Sequence, residues 1–235
     1  MVTTAKYKED IAVEKAERVE KPLLAAALGY AEHGWFVIPL HNPEPNGKCS
    51  CNNPYCESIG KHPRLKDWNN ETTIDKEVII KWWSEWPDAN VGIIPGKSGL
   101  LALDIDTRHD GDLSLKELEL EHGNLPSTLT SQTGGGGKHY LFSLNGNAHA
   151  NKTGIKPGID IKCNGGMIVA PPSLHKSGRY YQWETDPSAN DVPIAPLPDW
   201  LEKMLTAGEN ISTTGATKVE GKIEDGRRML IGVQN

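Results

Sequence analysis

Apolar residues fall in short runs along this chain, and the period of each run names the element it can form. In Leu101–Asp106 (LALDID) an apolar run gives way to alternation with acids. A strand sends successive side chains to opposite faces, so Leu103 and Ile105 should enter a core while Asp104 and Asp106 share the other face. Ile159–Lys162 (IDIK) repeats the pattern, with Ile159 and Ile161 on one side and Asp160 and Lys162 on the other. Gly137–Phe142 (GKHYLF) reads as a third strand, with His139 between Lys138 and Tyr140.

The rest of the chain divides by the same logic. Met1–Lys21 mixes charges of both signs with few large apolar groups and predicts a solvated helix or a disordered arm. A helix is expected from Pro22, suited to the first helical position, to Gly34, with Leu24, Leu28 and Ala31 as its buried stripe. Trp35–Leu40 reads as a buried strand. Thr73–Trp86 reads as a helix capped by Thr73, with Asp75 and Glu77 in its first turn and Ile79, Trp83 and Trp86 on one side. Strands follow at Val91–Ile94 and Leu100–Asp106, then a helix at Asp112–Glu121 stopped by Gly123. Further strands are expected at Leu129–Gln132, Lys138–Leu144, Ile159–Lys162, Met167–Val169 and Tyr180–Glu184, and a closing helix at Pro198–Leu205. Gly-rich turns too short to hold helices join the strands after Leu129, so the later half should be mostly antiparallel. This order is consistent with an α+β core of RRM-like kind. Ala207–Lys222, rich in Gly and Thr, reads as a linker, and Glu224–Asn235 as the start of a further unit.

A length of 235 residues suits one domain with appendages. The formal charge of −6 speaks against a broad basic nucleic-acid surface. It leaves room for local basic strips, because acids gathered around metals count in the same total. No run of about 18 apolar residues is present to span a membrane. The opening residues lack the apolar stretch of a secretory signal, and a cytoplasmic protein is the expectation.

Candidate chemistry changes the picture further. Burying one carboxylate is costly, and gathering three is costlier unless cations neutralise them. Asp104, Asp106 and Asp160 are therefore candidate hard-oxygen ligands for two Mg²⁺ or Mn²⁺ ions, which could activate an attacking 3′-hydroxyl and stabilise departing pyrophosphate. The plainer reading, a D-x-D that merely ends a strand in water, is opposed by the Leu-Leu-Ala-Leu run before it. Gly134–Gly137 with Lys138 and His139 offers backbone N–H groups and two cationic side chains to a triphosphate, against the alternative of a flexible turn beside a solvated lysine. Gly96-Lys97-Ser98 is no Walker A loop, because Val91 stands where that motif needs glycine.

Asn42–Pro63 has the turn chemistry of an insertion and contains Cys49, Cys51, Cys56 and His62. Three thiolates and one imidazole make a closed tetrahedral set, a candidate structural zinc site with His41 in reserve. Three reduced thiols in a polar loop are the alternative. Cys163, alone, reads as a buried small hydrophobe. Trp82, Trp83 and Trp86, at helical spacing, read as core rather than as base-stacking platforms. Lys61, Arg64 and Lys66 form a small basic strip, either a DNA contact or ordinary solvated charge.

With those residues in hand, the chain resembles the bifunctional DNA primase/polymerase (prim-pol) group of the archaeo-eukaryotic primase superfamily. The stretches that carry the likeness are Cys49–Pro63, Trp86–Ile93 (WPDANVGI), LDID, TGGGGKHYLF and Gly158–Ser173 (GIDIKCNGGMIVAPPS). The resemblance implies an RRM-like catalytic core over residues 22–205 with a zinc-binding insertion at 42–66, after a charged arm at 1–21. A linker at 206–222 and the start of a truncated helical domain at 223–235 would follow. It implies metal binding by Asp104, Asp106 and Asp160, triphosphate contact by His139, and nucleotide contacts by Lys162 and Arg108, beside the Lys138 contact read from the glycine run. It also implies a single-stranded DNA template, NTP or dNTP substrates, a helicase outside these residues, and work in the replication of a phage, plasmid or other mobile element. Two other functions fit parts of the pattern. A D-x-D glycosyltransferase would need a parallel sheet, and a non-catalytic zinc-containing DNA-binding module would have no use for the acids.

Overall fold

The computed structural model describes residues 21–144, 146, 149–184 and 194–207. The arm, the linker and the further helical unit expected at 1–21, 206–222 and 223–235 lie outside the described residues, but for Lys21, Thr206 and Ala207. In chain order the elements are α1 (Pro22–Glu32), β1 (Val37–Leu40), α2 (Trp68–Glu71), α3 (Lys76–Glu85), β2 (Asn90–Ile93), β3 (Leu100–Ile105), α4 (Gly111–His122), β4 (Thr130–Gln132), β5 (Lys138–Ser143), β6 (Lys152–Lys156), β7 (Ile159–Lys162), β8 (Ile168–Ala170), β9 (Gln182–Trp183) and α5 (Asp199–Ala207). One sheet runs β1-β2-β8 and a second β6-β7-β3-β5-β4-β9, with every pairing between these strands antiparallel. The α+β expectation holds, and a parallel sheet is absent among the described residues.

The alternation along β3 sets the layers. Leu101, Leu103 and Ile105 meet Phe142, Ile159 and Ile161 in one core, closed by Leu115 and Leu118 of α4 and Leu201 and Leu205 of α5. The other side of β3 divides along its length. Leu100 and Ala102 pack with Leu141 against the small sheet and against α1 and α3. Beyond Ala102 the same face carries Asp104 into an open cleft. The small sheet is buried on both faces, so its strands read as unbroken apolar runs rather than alternations. Pro39, which lacks an N–H, is tolerated because β1 is an edge of that sheet.

Several details differ from expectation. In α1 the buried residues are Ala27, Tyr30 and Ala31, with Leu24 and Leu28 at the margin. Tyr30 takes the centre because its hydroxyl reaches the Pro171 carbonyl at 2.6 Å. Asp75, not Thr73, caps α3: its carboxylate accepts from the N–H groups of Glu77 and Val78 at 2.8 and 3.2 Å. Thr73 is held in a bridge to Val37, two residues too early, and its hydroxyl accepts from the Asp75 N–H instead. Ile79, Trp82 and Trp83 form the buried side of α3, in keeping with a core role for the tryptophans. Strand β6 and the short α2 carry no apolar period and were not expected. No helix among the described residues is long and apolar enough to cross a membrane.

Two glycines hold the end of β3 beside β7. The Asp106 N–H donates to the Gly158 carbonyl at 2.8 Å, and the Gly111 N–H to the Asp106 carbonyl at 3.0 Å. A Cβ on Gly111 would stand 2.4 Å from the Gly158 oxygen, and one on Gly158 would stand 2.5 Å from the Gly111 nitrogen. Only residues without side chains let the start of α4 and the β6–β7 turn meet there.

Candidate active site and metal centre

Asp104 is paired across the sheet with His139 of β5 on one side and Asp160 of β7 on the other. Directly opposed residues have Cβ atoms about 4.5–5.5 Å apart, so the three form one row on one surface. Asp104, Asp106, His139 and Lys162 line a cleft of about 250 Å³, together with Lys61, Arg108 and Tyr181. His139 is buried, with Nδ1 3.3 Å from the Ser131 hydroxyl and Nε2 3.6 Å from Asp104 Oδ1, a separation too long for a hydrogen bond. Burial pushes its pKa down; the Asp104 carboxylate opposes that, while Lys61 and Lys162 reinforce it. The ring is therefore neutral at pH 7, a donor or acceptor rather than a fixed charge.

The acids are not left bare. The Asp106 carboxylate accepts from the Arg108 side chain at 2.7 and 2.9 Å, from the Arg108 N–H at 3.0 Å, and lies 3.0 Å from His109 Nδ1. The Arg108 guanidinium holds it well below the usual carboxylate range. Asp160 accepts from the Lys162 ammonium at 2.7 Å and from the Gly154 N–H at 2.8 Å. Cations of the chain itself thus neutralise two of the three aspartates. Asp160 shares the sheet surface but does not line the cleft, and the three carboxylates do not gather within 4.8 Å of one another.

Lys138 is a correction. Being next to His139 on a strand, it projects from the opposite face, where its ammonium pairs with Glu184 at 2.5 Å. It cannot meet a triphosphate beside His139. The glycine turn is corrected in part: the N–H groups of Gly136 and Gly137 are used inside it, donating to the Thr133 carbonyl and hydroxyl, while Gly135 faces the cleft. The basic strip also dissolves. Lys66 is exposed, but Arg64 donates to Leu40 O, Asn42 Oδ1 and Ser50 Oγ and lies over the Trp86 ring at 5.4 Å.

Lys61 turns inward. Burial and the neighbouring Arg108 lower its pKa, with Asp104 and Asp106 opposing. Neither Lys61 nor Tyr181 carried a local signal for the cleft, since each arrives there by long-range folding. The same holds for Asn90, buried, whose amide donates to the carbonyls of Gly60 and Leu174 and accepts from the Leu174 N–H.

Cys49, Cys51, Cys56 and His62 are the one group of such donors within 4.8 Å of one another among the described residues. The sulfurs of Cys49 and Cys56 each lie 3.4 Å from His62 Nε2. Tetrahedral zinc with bonds of about 2.3 Å to sulfur and 2.0 Å to nitrogen separates those ligands by about 3.5 Å. The group could hold a metal ion such as zinc. His41 stays outside it, with Nδ1 3.0 Å from the Ser50 hydroxyl. Cys163 is buried against the Leu100 carbonyl, a packing residue as expected.

His175 abuts the glycine turn, buried, with no hydrogen-bond partner for Nε2 among the described residues. Burial, then Lys61, Arg108, Lys176 and Arg179, lower its pKa from 6.5 to about 4. A depressed histidine pKa means that the unfolded chain takes up the proton first, so stability is full above 6.5 and falls as pH drops toward 4. The thermal midpoint should decline across that window, and His175→Asn should flatten the decline. An unchanged profile in the variant would place the titrating group elsewhere.

A family model described as "Bifunctional DNA primase/polymerase, N-terminal" matches residues 27–200. No curated protein matches the chain.

Proposed function

Since the chain belongs to the bifunctional DNA primase/polymerase N-terminal family, we propose that it joins nucleotides on a single-stranded DNA template by transfer to a 3′-hydroxyl. One observation carries the reading: Asp104 and Asp106 line one cleft with His139, Lys61, Arg108 and Lys162, acids for a cation beside cations for phosphate. The strand order β7-β3-β5-β4, with α4 between β3 and β4, supports an RRM-like core beneath that cleft.

The donor set fits Mg²⁺ or Mn²⁺, which takes one or two carboxylates and completes its shell with substrate phosphates. Asp104 and Asp106 face the cleft and would be ligands, and Asp160 would join them on release from Lys162 and the Gly154 N–H. Bound there, such cations would lower the pKa of the attacking hydroxyl and neutralise charge on the leaving pyrophosphate. The chain's own part is placement. Lys162 and Arg108, each free once its aspartate serves as a ligand, would hold triphosphate oxygens, and neutral His139 would donate to one of them. Met167, Ile168 and Val169 wall the cleft and limit water. The Cys₃His loop is read as a closed structural zinc site, with no position left open for substrate.

The test is an unprimed single-stranded template with Mg²⁺ or Mn²⁺ and ribo- or deoxyribonucleotides supplied separately, products being sized on a gel. Template-dependent products are expected. Nucleotide-sugar turnover without template, or Mg²⁺-independent DNA binding with no synthesis even on a primed template, would overturn the reading.

A further inference from the structure

The reading above counts Lys61 among the cations of the cleft but leaves open what holds it there and which phosphate it meets. Lys61 lies in the cleft with its ammonium among Arg108, Asp104, Asp106 and Lys176. Among the described residues no acceptor bonds it and no carboxylate comes within ion-pair distance. A half-buried ammonium without a partner is destabilising in the empty protein, so its neighbours must hold it there.

They do so from both sides. Gly60, just before it, adopts a left-handed φ of +75° and gives its carbonyl to Asn90 Nδ2 at 2.9 Å. A side chain on Gly60 would strike Pro43 at 2.9 Å. His62, just after it, turns Nε2 to the Cys49 and Cys56 sulfurs and gives its carbonyl to the His41 N–H at 2.9 Å. The three residues Gly60, Lys61 and His62 are thus clamped at each end, and the clamp aims the middle side chain. Asn90 also grips Leu174, which leads to Lys176. Lys61, Arg108 and Lys176 border a second recess beside the first, against Ser58 of the Cys₃His loop.

Resting on the polymerase reading, we infer that Lys61 is a phosphate-binding residue lent to the nucleotide cleft by the Cys₃His loop, so that metal loading of the loop sets nucleotide affinity. The loop is then part of the nucleotide site, and its metal acts on substrate through the His62–Lys61 peptide. Two sources of phosphate could meet Lys61, the incoming triphosphate or a strand phosphate in the adjoining recess. Lining the same cleft as Asp104 and Asp106 favours the triphosphate.

The test is titration of the full chain with dGTP, GTP and inorganic tripolyphosphate in Mg²⁺, and separately with a single-stranded oligonucleotide. Lys61→Gln should weaken dGTP or GTP, and tripolyphosphate, at least tenfold while oligonucleotide affinity changes little. Stripping the loop metal should give a loss of similar size, reversed by adding zinc back, and should add nothing to Lys61→Gln. Asn90→Ala, which frees Gly60 but keeps all four ligands, should mimic it. Lys66→Gln, an exposed neighbour, sets the scale of a loss due to charge alone. An equal loss in Lys66→Gln, or a full response to metal removal in Lys61→Gln, overturns the inference. So does weakened oligonucleotide binding with nucleotide affinity intact, which moves Lys61 to the strand. If Lys61→Gln binds nucleotide normally while Asp104→Asn abolishes its Mg²⁺ dependence, the inference fails and the polymerase reading stands. No nucleotide binding by the unaltered chain sinks both.

Discussion

Asp104→Asn is expected to cut templated incorporation by about a thousandfold while the fold survives, a loss typical of removing one group that acts on transition-state charge. Asparagine fills the same space, and among the described residues no hydrogen bond holds the Asp104 carboxylate; the neutral His139 ring keeps its Nε2 3.6 Å from Oδ1. The residue directly opposite on β7 is Asp160, another acid, and like charges so placed destabilise a sheet. Removing one should leave the thermal midpoint unchanged or slightly raised. Activity and stability then move apart, which a merely structural aspartate could not produce. Primer extension at single-turnover rates, paired with thermal denaturation of the same preparation, makes the comparison. Extension at the unaltered rate would remove Asp104 from the chemistry.

Gly137→Ala should do the reverse and lose both together. A Cβ there would stand 2.1 Å from the Ile105 carbonyl oxygen, which is backbone and cannot rotate aside. The β3–β5 ladder, where Ile105 pairs with Lys138, must open at its end. The cost should be about 2–3 kcal/mol, the upper part of the range for overpacking. Because Ile105 separates Asp104 from Asp106, the same displacement spreads the two acids, and incorporation should fall well beyond the fraction unfolded. Denaturant titration gives the stability, and extension measured below the transition gives the activity. A loss under about 0.5 kcal/mol, the ordinary level for surface substitutions, would mean that the close approach relaxes easily.

The residues of this site were legible in unequal measure, for reasons that the strands make plain. Period-two alternation was enough to place Asp104, His139 and Asp160 on one face, and the register puts them in one row. The same period forbids Lys138 from joining His139, so assigning both to one phosphate neglected the alternation. Lys162 and Arg108 were recognisable as cations near the acids, but not as partners already clasping Asp160 and Asp106. Lys61 and Asn90 were beyond local reading. Their neighbours in space, Arg108 and Leu174, are distant in the chain, and no spacing rule links them. In α3, Thr73 and Asp75 were both acceptable caps by type, and the bridge from Thr73 to Val37 decided between them.

The six-stranded sheet also ends in a way that bears on handling the protein. One margin, β6, sets Lys152 and Lys156 at an irregular register, and the other, β9, is two residues long. Charged, kinked or very short margins offer no template for another chain to continue the ladder. Molecules at high concentration can therefore stay colloidally separate, without fusing sheet to sheet.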